Sequence, residues 1–472
     1  MYDFGKDKLK EECGIIAMSV PNDKNLAKTA YFGLNALQHR GQMSSGIAVL
    51  NDGNISCYKD FGLVTEVFND NILSLLKGNL CLGHVSQDQN ATVFSNNAQP
   101  FVVNYSKGSL AIAFNGGIRN RNAIKAYLEK NGSVFSSTSD SEIIAHSIIQ
   151  ANNENIVDSI RYLLKTFVGG YALAVLTQDS IIAARDQYGI RPLCIGKVDG
   201  GYVIASESCA IDLVGGDFIR DVMPGEIVIL KDGEIKSYET QTRIKKASCV
   251  FEYIYFARPD STIDDVNVYE ARAKSGKILA KEHPADADIV IGVPDSGTPS
   301  GIGYAEGSKI PYCGALIKNK YTGRTFVEPS KDKREMSLKI KLNPIKRLID
   351  GKRVVLVDDS IVRGTTMKSL ISNFRNAGAK EVHLRITCPP VYNSCDFGVI
   401  APSGSALIAN VMPIEKMAES LGADSLGFLS LEGLIESLKG RDGFCTGCLN
   451  GKYPVFETTN VLLSKFSGGK YE

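Results

Sequence analysis

Residues 354–366, Val-Val-Leu-Val-Asp-Asp-Ser-Ile-Val-Arg-Gly-Thr-Thr, join an apolar run to a carboxylate pair and then to a turn of hydroxyls and glycine. Gly364 lets backbone approach an anion closely, Ser360, Thr365 and Thr366 bring hydroxyl donors, and Arg363 brings a positive charge. Asp358 and Asp359 would repel a phosphate; they suit the vicinal hydroxyls of a ribose or a hard cation such as Mg²⁺. A second turn at 292–298, Gly-Val-Pro-Asp-Ser-Gly-Thr, is another potential anion nest. Paired, the turns describe a two-ended site, one loop for a diphosphate with its Mg²⁺ and the other for a sugar phosphate. Two cysteine features offer different chemistry. Cys13 opens an apolar run, a position where cysteine is usually a small core residue. Cys445-Thr-Gly-Cys448 reads as a redox pair, as half of a metal site, or as chance.

Such side chains act only if the elements around them aim them. The run Val354 to Val357 suits a strand buried on both faces of a parallel sheet, and a helical pattern follows from Met367 to Ala377. The polar turn therefore lies at the carboxyl end of a strand, where open α/β sheets bind ligands and a helix start offers free N–H groups. Ile289 to Val293 and Val382 to Ile386 are the predicted companion strands, and residues 246–472 read as one α/β domain with a parallel sheet. Residues 13–245 follow another pattern. Short runs at Ile15 to Met18, Leu110 to Phe114, Tyr171 to Leu176 and Tyr202 to Ala205 alternate with glycine, asparagine and aspartate turns. Helices are predicted near Lys28 to Leu37, Asn122 to Lys130 and Glu142 to Ala151. An α+β domain of packed sheets and helices is expected there, ending between Thr240 and Val250. The charged run 331–334, Lys-Asp-Lys-Arg, reads as an exposed, mobile loop; no internal repeat is present.

Composition narrows the function classes. The chain has 472 residues, 44% of them hydrophobic, which is ample for packed cores. A formal net charge of +1 without a basic stripe favours neither nucleic acid nor an anionic membrane. The charged start excludes a secretory signal, and no run approaches the roughly 18 apolar residues of a membrane span, so a cytoplasmic protein is expected. The 11 cysteines form an odd set in a chain with no export signal, which argues for thiols, metal ligands or a nucleophile over disulfides.

The 354–366 segment closely resembles the phosphoribosyl-diphosphate (PRPP) motif of type I phosphoribosyltransferases. From Glu12-Cys13-Gly14 to Gly451-Lys-Tyr-Pro454, and notably over Lys318 to Phe326, the chain is similar to the iron–sulfur subgroup of the amidophosphoribosyltransferase family. That resemblance implies an N-terminal-nucleophile glutaminase domain with αββα-like layers, followed by a phosphoribosyltransferase domain. It implies formation of 5-phosphoribosylamine from PRPP and glutamine-derived ammonia, the first step of purine biosynthesis. A leader, Met1 to Glu12, would be removed to expose Cys13, whose α-amino group would serve as base for its thiol. Asn115 and Gly116 match the oxyanion hole, and Asp140 matches the carboxylate for glutamine's α-ammonium. Arg40 matches the arginine beside the nucleophile and counts with Asp140 as glutamine-binding. For PRPP the matching residues are Lys318, Arg324, Ser360, Ile361, Val362, Arg363, Gly364, Thr365 and Thr366, with a loop from Lys318 to Glu335 that closes over the site. Ser296, Asp358 and Asp359 match the Mg²⁺ ligands. Cys249, Cys395, Cys445 and Cys448 match the four thiolates of a structural [4Fe–4S] cluster, Cys395 being preferred to its rival Cys388. A homo-oligomer, specifically a tetramer, and inhibition by purine nucleotides are implied as well.

The resemblance breaks at one pocket. The family reads Gly-His-Val-Arg-Tyr-Ser where this chain has Gly83-His84-Val85-Ser86-Gln87-Asp88, so the arginine that grips glutamine's α-carboxylate is missing. Phe114 replaces a histidine and Met43 an acidic residue nearby. Glutamine use is therefore expected to be impaired, rerouted through another cation, or replaced by free ammonia. Two rivals stand beside the main reading: an ammonia-dependent transferase with a vestigial first domain, and a PRPP-sensing regulator without catalysis.

Overall fold

A computed structural model describes residues 9, 13–87, 97–151, 153–239, 245–319, 342–395, 397–399, 402, 404–440 and 442–454. Arg324, Asp88, all but Leu9 of the expected leader, and the 318–335 loop beyond Asn319 lie outside the described residues.

A strand whose two faces are both apolar can serve two cores, and the first half of the chain is built on that device. In the strand Cys13–Ser19, Ile16 and Met18 face one apolar layer while Ile15 and Ala17 face another. It lies in a seven-stranded antiparallel sheet ordered Asp217–Asp221, Cys194–Val198, Gly201–Ala205, Cys13–Ser19, Leu80–Ser86, Ser44–Asn51, Asn54–Phe61. Stacked on it is a six-stranded antiparallel sheet ordered Glu234–Glu239, Glu226–Lys231, Ile181–Arg185, Gly169–Leu176, Gly108–Ile118, Phe101–Tyr105. Ala17, Ala48, Ala111, Ala113, Ala172 and Ala174 lie between the sheets, small enough for close stacking. The helices Leu26–Ala36 and Ser208–Leu213 cover the outer face of the first sheet. Arg121–Lys130, Asp140–Ala151 and Ile156–Thr166 cover the second. Helix, sheet, sheet, helix is the layering expected of the first half. The first helix starts at Leu26, earlier than the Lys28 expected, because Leu26 and Ala27 are themselves buried against the sheet.

In the second half the strands Ile289–Gly292, Arg353–Asp358, Glu381–Ile386 and Ser425–Phe428 form a parallel sheet in that order. Val354 to Val357 are fully buried, as a strand covered on both faces requires. The helix Val268–Glu282 meets the helix Gly297–Ser308 almost backbone to backbone. A Cβ on Gly276 would sit 2.0 Å from the Ser300 carbonyl oxygen, and one on Gly303 only 1.8 Å from that of Ala273. This contact seats Ser296, just before the second helix, over the sheet's edge. One apolar core takes in Leu9, Val168 and Ile190 together with the sheet of the second half, so the two halves pack as one body there.

Gly303→Ala tests the helix contact: overpacking at such a point costs about 1–3 kcal/mol, and the urea midpoint should fall accordingly. A midpoint equal to that of the parent would contradict the close approach.

Candidate active site

At the carboxyl end of Arg353–Asp358 the chain turns inward. Asp358 Oδ1 accepts the Asp359 N–H at 2.8 Å, and Ser360 Oγ donates to Asp359 Oδ1 at 2.5 Å. Ser296 Oγ, from the other turn, donates to Asp359 Oδ2. The turns meet because Gly297 has no side chain: a Cβ there would lie 2.7 Å from the Val357 carbonyl oxygen. Gly364, at φ 82°, caps the helix Thr365–Asn376, so Thr365 and Thr366 present that helix's first N–H groups beside the carboxylates. Ile361 and Val362 are buried apolar side chains that anchor the loop. Lys318 Nζ pairs with Asp295 across the mouth of the site. Ser296, Asp358 and Asp359 thus bring oxygen donors together, the chemistry that suits Mg²⁺. Behind them the buried Arg272 donates to the Tyr253 and Ala257 carbonyl oxygens at 2.7 and 2.9 Å. Burial lowers its pKa to about 10, and Asp359 leads the carboxylates that oppose this.

The other site lies in the first half. Cys13 opens its strand, nearly buried, with Sγ 3.8 Å from Ser86 Oγ on the neighbouring strand. His84 Nε2, on that same strand, lies 3.1 Å from the Phe114 carbonyl oxygen and ties the two sheets together at this point. Asn115 follows. It is 0% exposed, and neither amide atom has a hydrogen-bond partner among the described residues. A buried amide left open is what an oxyanion pocket needs before its substrate arrives. Gly116, at φ 134°, admits no side chain, since a Cβ would meet the Gly170 carbonyl oxygen at 2.1 Å. Asp140 starts its helix, accepts the Ile118 N–H at 3.3 Å, and pairs with Arg121 Nε at 2.8 Å. Arg40 is placed differently from a glutamine-binding residue. Its guanidinium is buried and donates to Glu207 at 2.6 Å, to Glu252 at 2.9 and 3.0 Å, and through Nε to the Cys13 carbonyl oxygen at 3.1 Å. Arg40 therefore holds the Cys13 backbone in place.

Cys249, Cys395, Cys445 and Cys448 line one small cavity, with Arg191, Phe397 and Leu9 also on its wall. Cys249 and Cys445 are register partners in a short parallel pair of strands, and the Phe397 N–H donates to Cys395 Sγ at 3.3 Å. Cys388 is buried and is not part of this lining, although it lies close enough to push up the Cys448 thiol. Among the described residues no three His, Cys, Asp or Glu groups converge on a point that would hold a single ion. Four cysteines on one wall are the donor set that a cluster takes. Just beyond, Gly398 presses on the oxyanion strand, where a Cβ would sit 2.3 Å from the Gly116 carbonyl carbon.

Reasoning from sequence missed Glu207, Glu252, Arg191, Arg272, His84 and Gly398. A signal existed for Glu252: it is the lone charge in the run 250–256, Val-Phe-Glu-Tyr-Ile-Tyr-Phe, and a carboxylate flanked in that way is buried only if paired. Burial would raise the pKa of Glu207, yet His39 and Arg40 outweigh it and hold the carboxylate well below its usual range. His84 goes the other way for a base: burial lowers its pKa from 6.5 to about 4. Between those values the unfolded chain takes up a proton that the folded one refuses, so stability is full above about pH 6.5 and declines toward pH 4. From pH 7 to pH 5 this group should cost roughly 2 kcal/mol. Urea titrations of the parent and of His84→Gln at both pH values check this, and an equal pH dependence in the two proteins would refute it.

Both halves of the chain are similar to known proteins. Residues 88–212 match the family described as glutamine amidotransferase domain, and residues 267–394 the phosphoribosyl transferase domain. The amidophosphoribosyltransferase of Methanocaldococcus jannaschii is 45% identical over 97% of this chain and 99% of its own length. That of Archaeoglobus fulgidus is 46% identical over 94% and 98%. Among solved structures, the glutamine PRPP amidotransferase of B. subtilis, complexed with ADP and GMP, superposes with a TM-score of 0.89 at 41% identity, covering 94% of this chain and 98% of that one. With relatives this similar along nearly the whole length, and both domains matched, the chain belongs to the amidophosphoribosyltransferase family.

Proposed function

We propose that this protein makes 5-phosphoribosylamine and diphosphate from PRPP and ammonia, the ammonia being released from glutamine at Cys13, as the first step of purine biosynthesis. The observation that carries the reading is the pairing, in one chain, of the Asp358 to Thr366 turn with an open, buried Asn115 amide beside a strand-opening cysteine. In the first site the Cys13 thiol attacks the side-chain amide carbon of glutamine, while the Asn115 amide and the Gly116 N–H receive the oxyanion. The thiol proton passes to the departing nitrogen, ammonia leaves, and water then frees glutamate from the thioester. The base is the α-amino group of Cys13 once residues 1–12 are removed. In the second site the carboxylates of Asp358 and Asp359 hold the ribose hydroxyls, and the backbone and hydroxyls of Ser360 to Thr366 hold the 5-phosphate. Arg363, Lys318 and Arg324 supply positive charge. Ammonia displaces diphosphate from C1. Mg²⁺, held by Ser296, Asp358 and Asp359, would neutralise the diphosphate. A [4Fe–4S] cluster on Cys249, Cys395, Cys445 and Cys448 would cross-link segments that are far apart in sequence, a structural role. Purine nucleotides are the proposed inhibitors, supported by the ADP and GMP bound to the B. subtilis relative, and the proposed assembly is a homo-tetramer. A cytoplasmic location is proposed on the odd set of 11 cysteines, which argues for thiols over disulfides; no helix among the described residues is long and apolar enough to cross a membrane.

Ser86 favours a second reading, in which free ammonia is the main nitrogen source, because the strand beside Cys13 carries a hydroxyl where the family carries a cation. Diphosphate release from PRPP with Mg²⁺, measured with glutamine and with ammonium, separates the readings. Saturation at low millimolar glutamine, lost in Cys13→Ala, supports the first; a response to ammonium alone supports the second; no release with either nitrogen source leaves the sensor. Asp359→Asn should lower release with either source by roughly a hundredfold.

Iron and acid-labile sulfide in protein purified without oxygen test the cluster. Cys395→Ser should abolish both, and Cys388→Ser should retain them; the reverse outcome exchanges the two ligands.

A further inference from the structure

Glutamine is a zwitterion at neutral pH, so a site that selects it must offer one charge of each sign near the oxyanion pocket. The negative group is Asp140, which accepts the Ile118 N–H at 3.3 Å. Ile118 ends the strand that carries Asn115, roughly 10 Å further along at about 3.4 Å per residue. That span suits an extended amino acid with a hydrogen bond at each end. The unpartnered, fully buried Asn115 amide shows that a polar ligand group belongs at the far end of this stretch.

The positive group is harder to find. Ser86 brings no charge, and Arg40 is buried against Glu207 and Glu252. Arg121, by contrast, is half-exposed with its Nε 2.8 Å from Asp140 Oδ1, and its Nη2 donates to the Thr138 carbonyl oxygen at 2.6 Å. It is the first residue of the helix Arg121–Lys130, where the helix dipole disfavours a cation and no acidic residue shares the first turn. Its placement serves Asp140 and not its own helix.

We infer that the Arg121–Asp140 pair is the glutamine α-carbon clamp: the substrate inserts between them, its ammonium on Asp140 and its carboxylate on the Arg121 guanidinium. This rests on the glutaminase reading above and deepens it. It makes Arg121 a specificity residue supplied by the helix layer, replacing a cation that Ser86 does not provide. A guanidinium suits the task because its fork of donors matches a carboxylate. In the absence of substrate the two side chains satisfy each other, so neither charge is stranded.

The test compares glutamine with its α-amide, which has the same side chain and ammonium but no carboxylate. Ammonia release from both is measured for the parent, Arg121→Ala, Arg121→Lys and, as a comparison, Arg119→Ala. The expected result is a KM for glutamine raised roughly tenfold to a hundredfold in Arg121→Ala, the scale of a lost charged hydrogen bond. Parental preference for glutamine over the amide should collapse in that variant and recover in part in Arg121→Lys. Three results would overturn the assignment: equal losses on both substrates, collapse of the preference in Arg119→Ala instead, or no glutamine turnover by the parent. Diphosphate release with ammonium, run on the same preparations, distinguishes that last failure from failure of the transferase reading itself.

Discussion

Arg40 carries its charge where water does not reach, and carboxylates converge on it from both halves of the chain, Glu207 from the first and Glu252 from the second. Removing any partner would leave an uncompensated ion in the interior, which is what makes such a group unforgiving. Other buried pairs follow the same seam. Arg185 makes two bonds of 2.9 Å to Asp264, and Arg191 donates to the Phe397 carbonyl oxygen at 2.8 Å while lying 3.7 Å from Glu252. Ser261 donates to Glu207 at 2.6 Å. The halves are joined by a line of ions that is satisfied only when both are in place, in addition to the apolar core they share.

That seam ties the residues around Cys13 to the second half of the chain. The Cys13 carbonyl rests on Arg40, Arg40 rests on Glu252, and Glu252 comes three residues after Cys249. On the opposite side Gly398 lies against Gly116, backbone to backbone. The nucleophile and the oxyanion strand are thus each braced by residues next to the cysteine-lined cavity. Arg272 reaches further, its charge facing Asp359 as well as Glu207 and Glu252. Buried charges thus run from the Cys13 backbone, through Arg40 and Glu252, to Arg272 and the field of Asp359.

How much of this could be read without coordinates depends on the range of the interaction. The Val354 to Thr366 turn was legible because strand, carboxylates, glycine and helix start are neighbours in the chain, and local backbone rules suffice to aim them. The strands around Ile15, Leu110 and Tyr171 were legible for the same reason, through β propensity and turn residues. Asn115 and Gly116 came through resemblance alone; their role as an open amide and a side-chain-free strand position appeared only when Gly170 and the stacked sheets were in view. The role given to Arg40 illustrates the limit. From sequence it is an arginine near a nucleophile and reads as a ligand group, but its direction is set by Glu207 and Glu252, which lie far away in the chain.

The amino-acid sequence by itself determined the two domains' classes and the strand, turn and helix start that carry Asp358 to Thr366, properties of residue type and short-range order, while the cysteine set and the absent cation at Ser86 came from resemblance. Tertiary structure alone decided that four distant thiols share one cavity with Cys388 left out, that Arg40 braces the nucleophile, and that Arg121 faces Asp140. The physical reason is common to all three. Burial and pairing depend on which surfaces the folded chain brings together, and neither spacing nor composition carries that information across the two hundred or so residues that separate Arg40 from Glu252.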